Sequence, residues 1–158
     1  MGKPVLFCAV ILLLLSCSIA FSQEELDQEH KSSFLYKKAK ELGFDDYGWI
    51  AAMADYYKTG GERKLKKMLL LVDSDCGRYY RAVQRVGDFV IYRPNMNTTN
   101  SCGGREVVAV IPAKDIAVSK GKYIDDSCYY VFQEISNANM SDGFTSKIPV
   151  VKQVRKKK

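Results

Sequence analysis

The N-terminal apolar segment constrains this chain more than any other feature of its sequence. Lys3 precedes an uncharged run over residues 5–15, and small residues stand at Ala20 and Ser22. A basic start, an apolar stretch of this length and a small-x-small pattern are the parts of a cleavable signal peptide. We therefore predict a signal peptide over residues 1–22, cleavage after Ser22, and secretion into the extracellular space.

An uncleaved membrane anchor is the alternative interpretation of this segment. An anchor needs about 20 consecutive apolar residues, and here Ser16, Cys17 and Ser18 interrupt the run. No later stretch of the sequence stays apolar for that long. The expected product is a single secreted domain over residues 23–151 and a basic tail over residues 152–158, with no transmembrane segment.

Positive charge is concentrated at the C-terminus. The formal net charge is +6, and the tail holds five basic residues: Lys152, Arg155, Lys156, Lys157 and Lys158. The rest of the expected domain is close to neutral. Nucleic-acid-binding domains usually have a broadly basic face, so we expect no nucleic-acid partner.

Two basic clusters are the candidate binding residues. One is Arg63, Lys64, Lys66 and Lys67, which matches the spacing of heparin-binding segments, and the other is Arg155, Lys156, Lys157 and Lys158. Such charges meet sulfates or phosphates along a polyanion, although they also suit a solubilising surface. We predict that both clusters bind an acidic extracellular polymer or matrix protein.

The cysteine count changes when the signal peptide is removed. Cys8 and Cys17 are lost with it, and Cys76, Cys102 and Cys128 remain. An oxidising compartment favours one disulfide, and the odd thiol is then either buried or available for a disulfide-linked homodimer. Three pairings are open, and our preference is Cys102 with Cys128 because both flank predicted strands.

Two sequons fit the same compartment. Asn97 and Asn139 each begin an Asn-x-Ser/Thr triplet, which is the acceptor for N-glycosylation. Both asparagines are therefore predicted glycosylation sites.

The first half of the expected domain has the periodicity of helices. Apolar residues fall on one face over residues 24–42, and again over residues 45–60 and 62–72. The Asp45–Asp46 pair is a good N-cap for the second segment. Residues 69–72, at the end of the third, also fit the start of a strand. We predict two or three N-terminal helices.

β-Branched and aromatic residues dominate the second half, and turn residues divide it. Five strands are predicted, over residues 79–86, 88–92, 106–111, 129–135 and 148–154. Helices followed by strands are typical of α+β proteins. We predict an α+β fold in which the helices pack on a four- to five-stranded antiparallel sheet.

Motifs that would name a reaction are missing from the sequence. His30 is the only histidine, and a Cys–His pair would have to recruit it from a solvated helix. The acidic pairs at residues 45–46, 73–75 and 125–126 fit a helix cap and turns more simply than catalytic carboxylates. We predict a non-enzymatic protein with no metal and no cofactor.

Tyrosine is the other compositional signal for function. Ten tyrosines occur, and exposed rings suit contact surfaces. Together with the basic clusters, they favour a secreted matrix component, in a biomineral or glycosaminoglycan-rich setting. The alternative is a secreted effector acting on a protein target, such as a venom component, an inhibitor or a cytokine-like factor. A toxin of this size usually has more disulfides, which counts against the alternative.

Overall fold

A computed structural model of the chain describes residues 25–73, 79–94, 107–113, 118–139, 143 and 145–156. The predicted signal peptide lies outside these ranges. The chain divides into two compact units, Met1–Leu42 and Gly43–Lys158, and each is described by itself.

The first unit is helical in its described part. Helix α1 covers residues 25–32, and helix α2 covers Phe34–Glu41. Ser33 separates them and caps α2, because its Oγ accepts a hydrogen bond from the Tyr36 amide at 3.1 Å. The helical prediction for residues 24–42 is confirmed for the described residues, with a break at Ser33.

The second unit is built on one seven-stranded sheet with the order β1-β2-β6-β7-β5-β4-β3. Strands β1 and β2 pair in parallel, as do β5 and β7, and the other neighbours are antiparallel. The α+β class is confirmed, whereas the prediction of four to five antiparallel strands is wrong. The strands are β1 Asp46–Trp49, β2 Met68–Leu71, β3 Tyr80–Val86, β4 Phe89–Pro94, β5 Val108–Ile111, β6 Cys128–Asn139 and β7 Thr145–Arg155.

The two extra strands lie where the sequence predicted helices. A short 3-10 turn, Ile50–Ala52, follows β1 and leads into helix α3, Met53–Leu65. The three- and four-residue spacing of apolar side chains runs through β1, so it concealed the strand. Strand β2 is all Leu and Met, which are good helix formers. It is a strand because it lies between β1 and β6 and is buried along its whole length.

Helix α3 connects these parallel strands and has a break of its own. Gly61 has φ +60°, outside the helical region, so the segment consists of two short helices joined by a kink. A glycine adopts this φ without the steric cost of a side chain. The predicted boundary between the helical segments 45–60 and 62–72 therefore corresponds to a kink within α3 rather than to a loop.

The larger of two apolar clusters joins α3 to the sheet. Met53 and Leu65 of α3 pack in it with buried strand residues such as Leu70, Tyr130 and Val151. A smaller cluster contains the buried residues Ile91, Ala109, Ile148 and Val150. Burial of these side chains is the main stabilising contribution to the sheet.

The last strand is longer than predicted. Strand β7 pairs with β6 on one side and with β5 on the other, and its pairing with β6 continues to Arg155. Residues 152–155 therefore lie within the sheet. The predicted strand over residues 148–154 already included the first three of them, although the predicted domain division placed all four in the basic tail.

Candidate polyanion-binding groove

A groove opens where β5 and β7 separate. The parallel register of these strands ends at Ile111 and Lys152, whereas β7 continues beside β6. The amide of Ala113 donates a hydrogen bond to Oε1 of Gln153 at 3.3 Å. This bond holds the chain that leaves β5 at one side of a groove of about 760 Å³.

Cationic side chains dominate the rim of this groove. Arg85 comes from the end of β3, Lys152 and Arg155 come from β7, and all three are exposed. Asp88 contributes a carboxylate to the described part of the lining. The Arg85 Nε donates a hydrogen bond to the carbonyl of Gly87 at 3.3 Å. This bond ties the Arg85 side chain to the β3–β4 turn. Among the described lining residues, three cations stand against one carboxylate, which is an excess of positive charge.

The groove also has apolar and amide groups in its lining. Ile111 and Val154 contribute apolar surface, and Val154 is 40% exposed. Gln153 is 5% exposed, and its amide is held by the bond to Ala113. A cationic rim over a partly apolar base suits a ligand that carries acidic groups on a carbon skeleton.

Arg155 also lines a second, smaller cavity. This cavity has a volume of about 300 Å³ and is formed with Asp125, Ser127, Cys128 and Lys156. The Lys156 ammonium lies 3.3 Å from the carbonyl oxygen of Asp126 and 5.1 Å from the centre of the Tyr129 ring. Cation–π contact and hydrogen bonding together keep Lys156 close to the sheet.

The thiol in the smaller cavity does not have the character of a nucleophile. Cys128 is a free, buried cysteine, and its Sγ donates to Oδ2 of Asp125 at 3.4 Å. Burial raises the pKa of the Cys128 thiol, and the charge of Asp125 raises it further. A reactive cysteine needs the opposite shift, towards the thiolate.

Asp125 is held in its ionised form by its neighbours. Burial alone would raise its pKa, but hydrogen bonds from the Ser127 hydroxyl and amide, then from Cys128, lower it. The Ser127 distances are 2.6 and 2.9 Å. Asp125 therefore accepts bonds from the start of β6 and organises this corner of the sheet.

The predicted cluster near helix α3 is less available than its sequence suggested. Helix α3 ends at Leu65, so the four cations do not share one helical arc. Lys67 lies 2.7 Å from an Asp45 carboxylate oxygen, and Lys66 lies 3.4 Å from one of Glu62. Lys64 donates to Thr59 Oγ1 at 3.0 Å. Arg63 is exposed. None of these four lines the groove.

Several predicted residues cannot be placed. Lys157, Lys158, Cys76, Cys102 and Asn97 lie outside the described residues. The preferred Cys102–Cys128 pairing and the homodimer therefore stay predictions, and the structure records Cys128 as a thiol.

Two other predicted residues are described. Asn139 is exposed at the end of β6, and its Oδ1 accepts from Thr145 Oγ1 at 2.8 Å. The His30 ring lies 5.7 Å from the Tyr36 ring. Within the described ranges, no three His, Cys, Asp or Glu residues group as metal ligands.

Two groove cations, Lys152 and Arg85, were not among the predicted binding residues. Lys152 was counted only in the basic tail, and Arg85 was not singled out at all. It is one of several basic residues on predicted strands, and its position depends on the β4–β5 and β5–β7 pairings. The β3–β4 turn at Gly87 was recognisable, and it indicated only that Arg85 lies near a hairpin end.

Membrane-spanning character and similarity to known proteins were the two remaining sources of functional information. None of the helices in the described ranges combines the length and the apolar character needed to cross a membrane. The chain matches no family model, no curated protein and no solved structure.

Proposed function

We propose that this chain is a non-enzymatic secreted protein of the extracellular matrix that binds acidic polymers. The groove beside β7 is its main binding site. Arg85, Lys152 and Arg155 supply the positive charge, and Lys156, Lys157 and Lys158 extend it along the sequence. A biomineral-associated or glycosaminoglycan-rich matrix would present suitable sulfates, phosphates or carboxylates.

The observation that carries this proposal is the shared lining of one groove by cations from two separate strands. Arginine forms paired hydrogen bonds with sulfate, phosphate or carboxylate groups. The excess of cations in the rim favours an anionic ligand over a neutral one. The cluster near α3 contributes less because Lys66 and Lys67 already have acidic partners.

Heparin chromatography tests the groove with a matched control. We expect the unmodified protein to elute above about 0.15 M salt, the physiological value. The triple variant R85Q/K152Q/R155Q should elute earlier, and R63Q/K66Q/K67Q, which removes the same charge, should shift less. Elution of the unmodified protein at or below physiological salt would contradict the proposal.

Secretion is tested separately at the N-terminus. Protein collected from the medium of expressing cells should begin at Gln23, and Ala20→Arg should block processing because position −3 requires a small residue. Retention of the unprocessed chain inside the cells would count against this part of the proposal. Loss of mass after removal of N-glycans would support modification at Asn97 or Asn139.

A further inference from the structure

An apolar cleft lies between helix α3 and the β6–β7 hairpin, and it is separate from the basic groove and from the cavity beside Cys128. Its volume is about 430 Å³, within the range of roughly 300–1,000 Å³ that small-molecule sites occupy. It shares no lining residue with the polyanion groove. The cleft therefore needs an explanation of its own.

The walls of this cleft are mainly apolar. Met53 and Leu65 line it from α3, Ile135 from β6, and Ile148 and Pro149 from β7. Met53, Leu65 and Ile148 are each at most 4% exposed, so they form a well-packed floor of the cleft. Such a floor favours a hydrocarbon group over a polar one.

An exposed aromatic ring borders the same cleft. Tyr57 of α3 is among the lining residues and is 46% exposed. Its ring is a large apolar surface next to apolar walls, an arrangement that is often found at ligand grooves. A bound chain would cover this ring while leaving its hydroxyl in water.

Two lysines supply charge at the cleft. Lys58 comes from α3 and Lys147 from β7, so they approach it from different elements. Lys58 has an ion pair with Asp55 at 3.3 Å, in which both side chains are more than 70% exposed. Such a pair is weak, so Lys58 is free to turn to a ligand. Lys147 is exposed and has no ion pair with any described residue.

We propose that this cleft binds a single-chain amphipathic anion of the fatty-acid class. The hydrocarbon chain lies against Met53, Leu65 and Ile148, and the carboxylate is bound by Lys58 and Lys147. The modest volume favours one chain over a two-chain lipid. This proposal is independent of polyanion binding, since the two sites have separate linings.

Decanoate is the probe, and 1-decanol is its neutral counterpart. Titration of the ¹⁵N-labelled protein with decanoate should give saturable amide shifts concentrated in α3 and in residues 145–149 of β7. Heparin should not displace decanoate, which distinguishes this site from the groove.

Two kinds of variant test the two halves of the proposal. Ala54→Trp and Ser146→Trp fill the cleft from opposite sides and should each weaken decanoate binding at least tenfold. Ser119→Trp, at an exposed residue outside the cleft, is the matched control and should leave binding unchanged. Lys147→Gln should weaken decanoate about two- to fivefold, the effect of an exposed charge pair, and leave 1-decanol unaffected. Lys120→Gln is the matched charge control.

The outcomes are decisive for each half. Unsaturable shifts, or shifts spread over other strands, would overturn the site. So would binding that survives both tryptophan variants when their spectra show a folded protein. Equal loss of decanoate and 1-decanol in Lys147→Gln would overturn the assignment of the carboxylate to the lysines.

Discussion

Cys128 and Arg155 are register partners at the end of the β6–β7 ladder. This pair fixes the position of Arg155 at a defined corner of the sheet. Lys156 follows directly and contacts the segment before β6. The basic C-terminus therefore begins as part of the fold, and its first charges are positioned for the groove.

The Cys128 thiol should be unreactive in the folded protein. It is 3% exposed, and its pKa is raised by burial and by Asp125, so little thiolate is accessible at pH 8. We expect iodoacetamide to label Cys128 much more slowly in native protein than in guanidinium-unfolded protein, as read by peptide mass spectrometry. Equally rapid labelling in the two states would show that this corner is open, whereas absence of labelling in both states without a reductant would show that Cys128 is in a disulfide.

The fold was partly predictable from local pattern. Residues 79–86 and 106–111 are rich in β-branched or aromatic residues, and strands β3 and β5 lie there. Strand β2 was predicted as the end of a helix, with a strand start at residues 69–72 as the alternative, because Met68–Leu71 has helical propensity; burial between β1 and β6 makes it a strand. Burial between two neighbours is a tertiary effect that no local window contains.

The site was less predictable than the fold. Charge counting identified Arg155, but it also selected Lys67, whose Asp45 partner is 22 positions away in the sequence. Arg85 was missed because only the nonlocal β5–β7 pairing brings Lys152 into a groove with the β3–β4 hairpin. A residue's charge is visible in the sequence, whereas its partners depend on the register.

Tyr92 should make stability fall at alkaline pH. Burial, with a further contribution from Asp125, raises the pKa of Tyr92 to about 12 from the ordinary 10.0. As the pH rises, the unfolded state therefore loses this proton before the folded state does. The contribution of protonated Tyr92 to the free energy of unfolding is complete below pH 10 and is lost as the pH rises towards 12. We expect about 1.4 kcal/mol less stability at pH 11 from this residue.

Urea denaturation between pH 8 and 11 measures this effect. Tyr92→Phe removes the titrating hydroxyl, so its stability should fall less steeply than that of the unmodified protein. Parallel curves for the two proteins would contradict the assigned shift.

The ion pair between Lys67 and Asp45 should be weakly stabilising. Its atoms are 2.7 Å apart, but both side chains are more than half exposed, so water screens the attraction. A double-mutant cycle with Lys67→Gln and Asp45→Asn should give a coupling energy of about 0.2–1 kcal/mol. Zero coupling would mean that Lys67 is free, and it would restore the cluster near α3 as a candidate binding surface.

The salt dependence of heparin affinity tests the groove most directly. Binding to a linear polyanion releases counterions, so log K falls as log salt rises, and on nucleic acids each neutralised charge adds about 0.7–0.9 to the magnitude of this slope. Removing three groove cations in R85Q/K152Q/R155Q should therefore make the slope shallower by about two. The control R63Q/K66Q/K67Q should change it by less than one. An unchanged slope in the groove variant, or an equal loss in the control, would contradict a binding site in the groove.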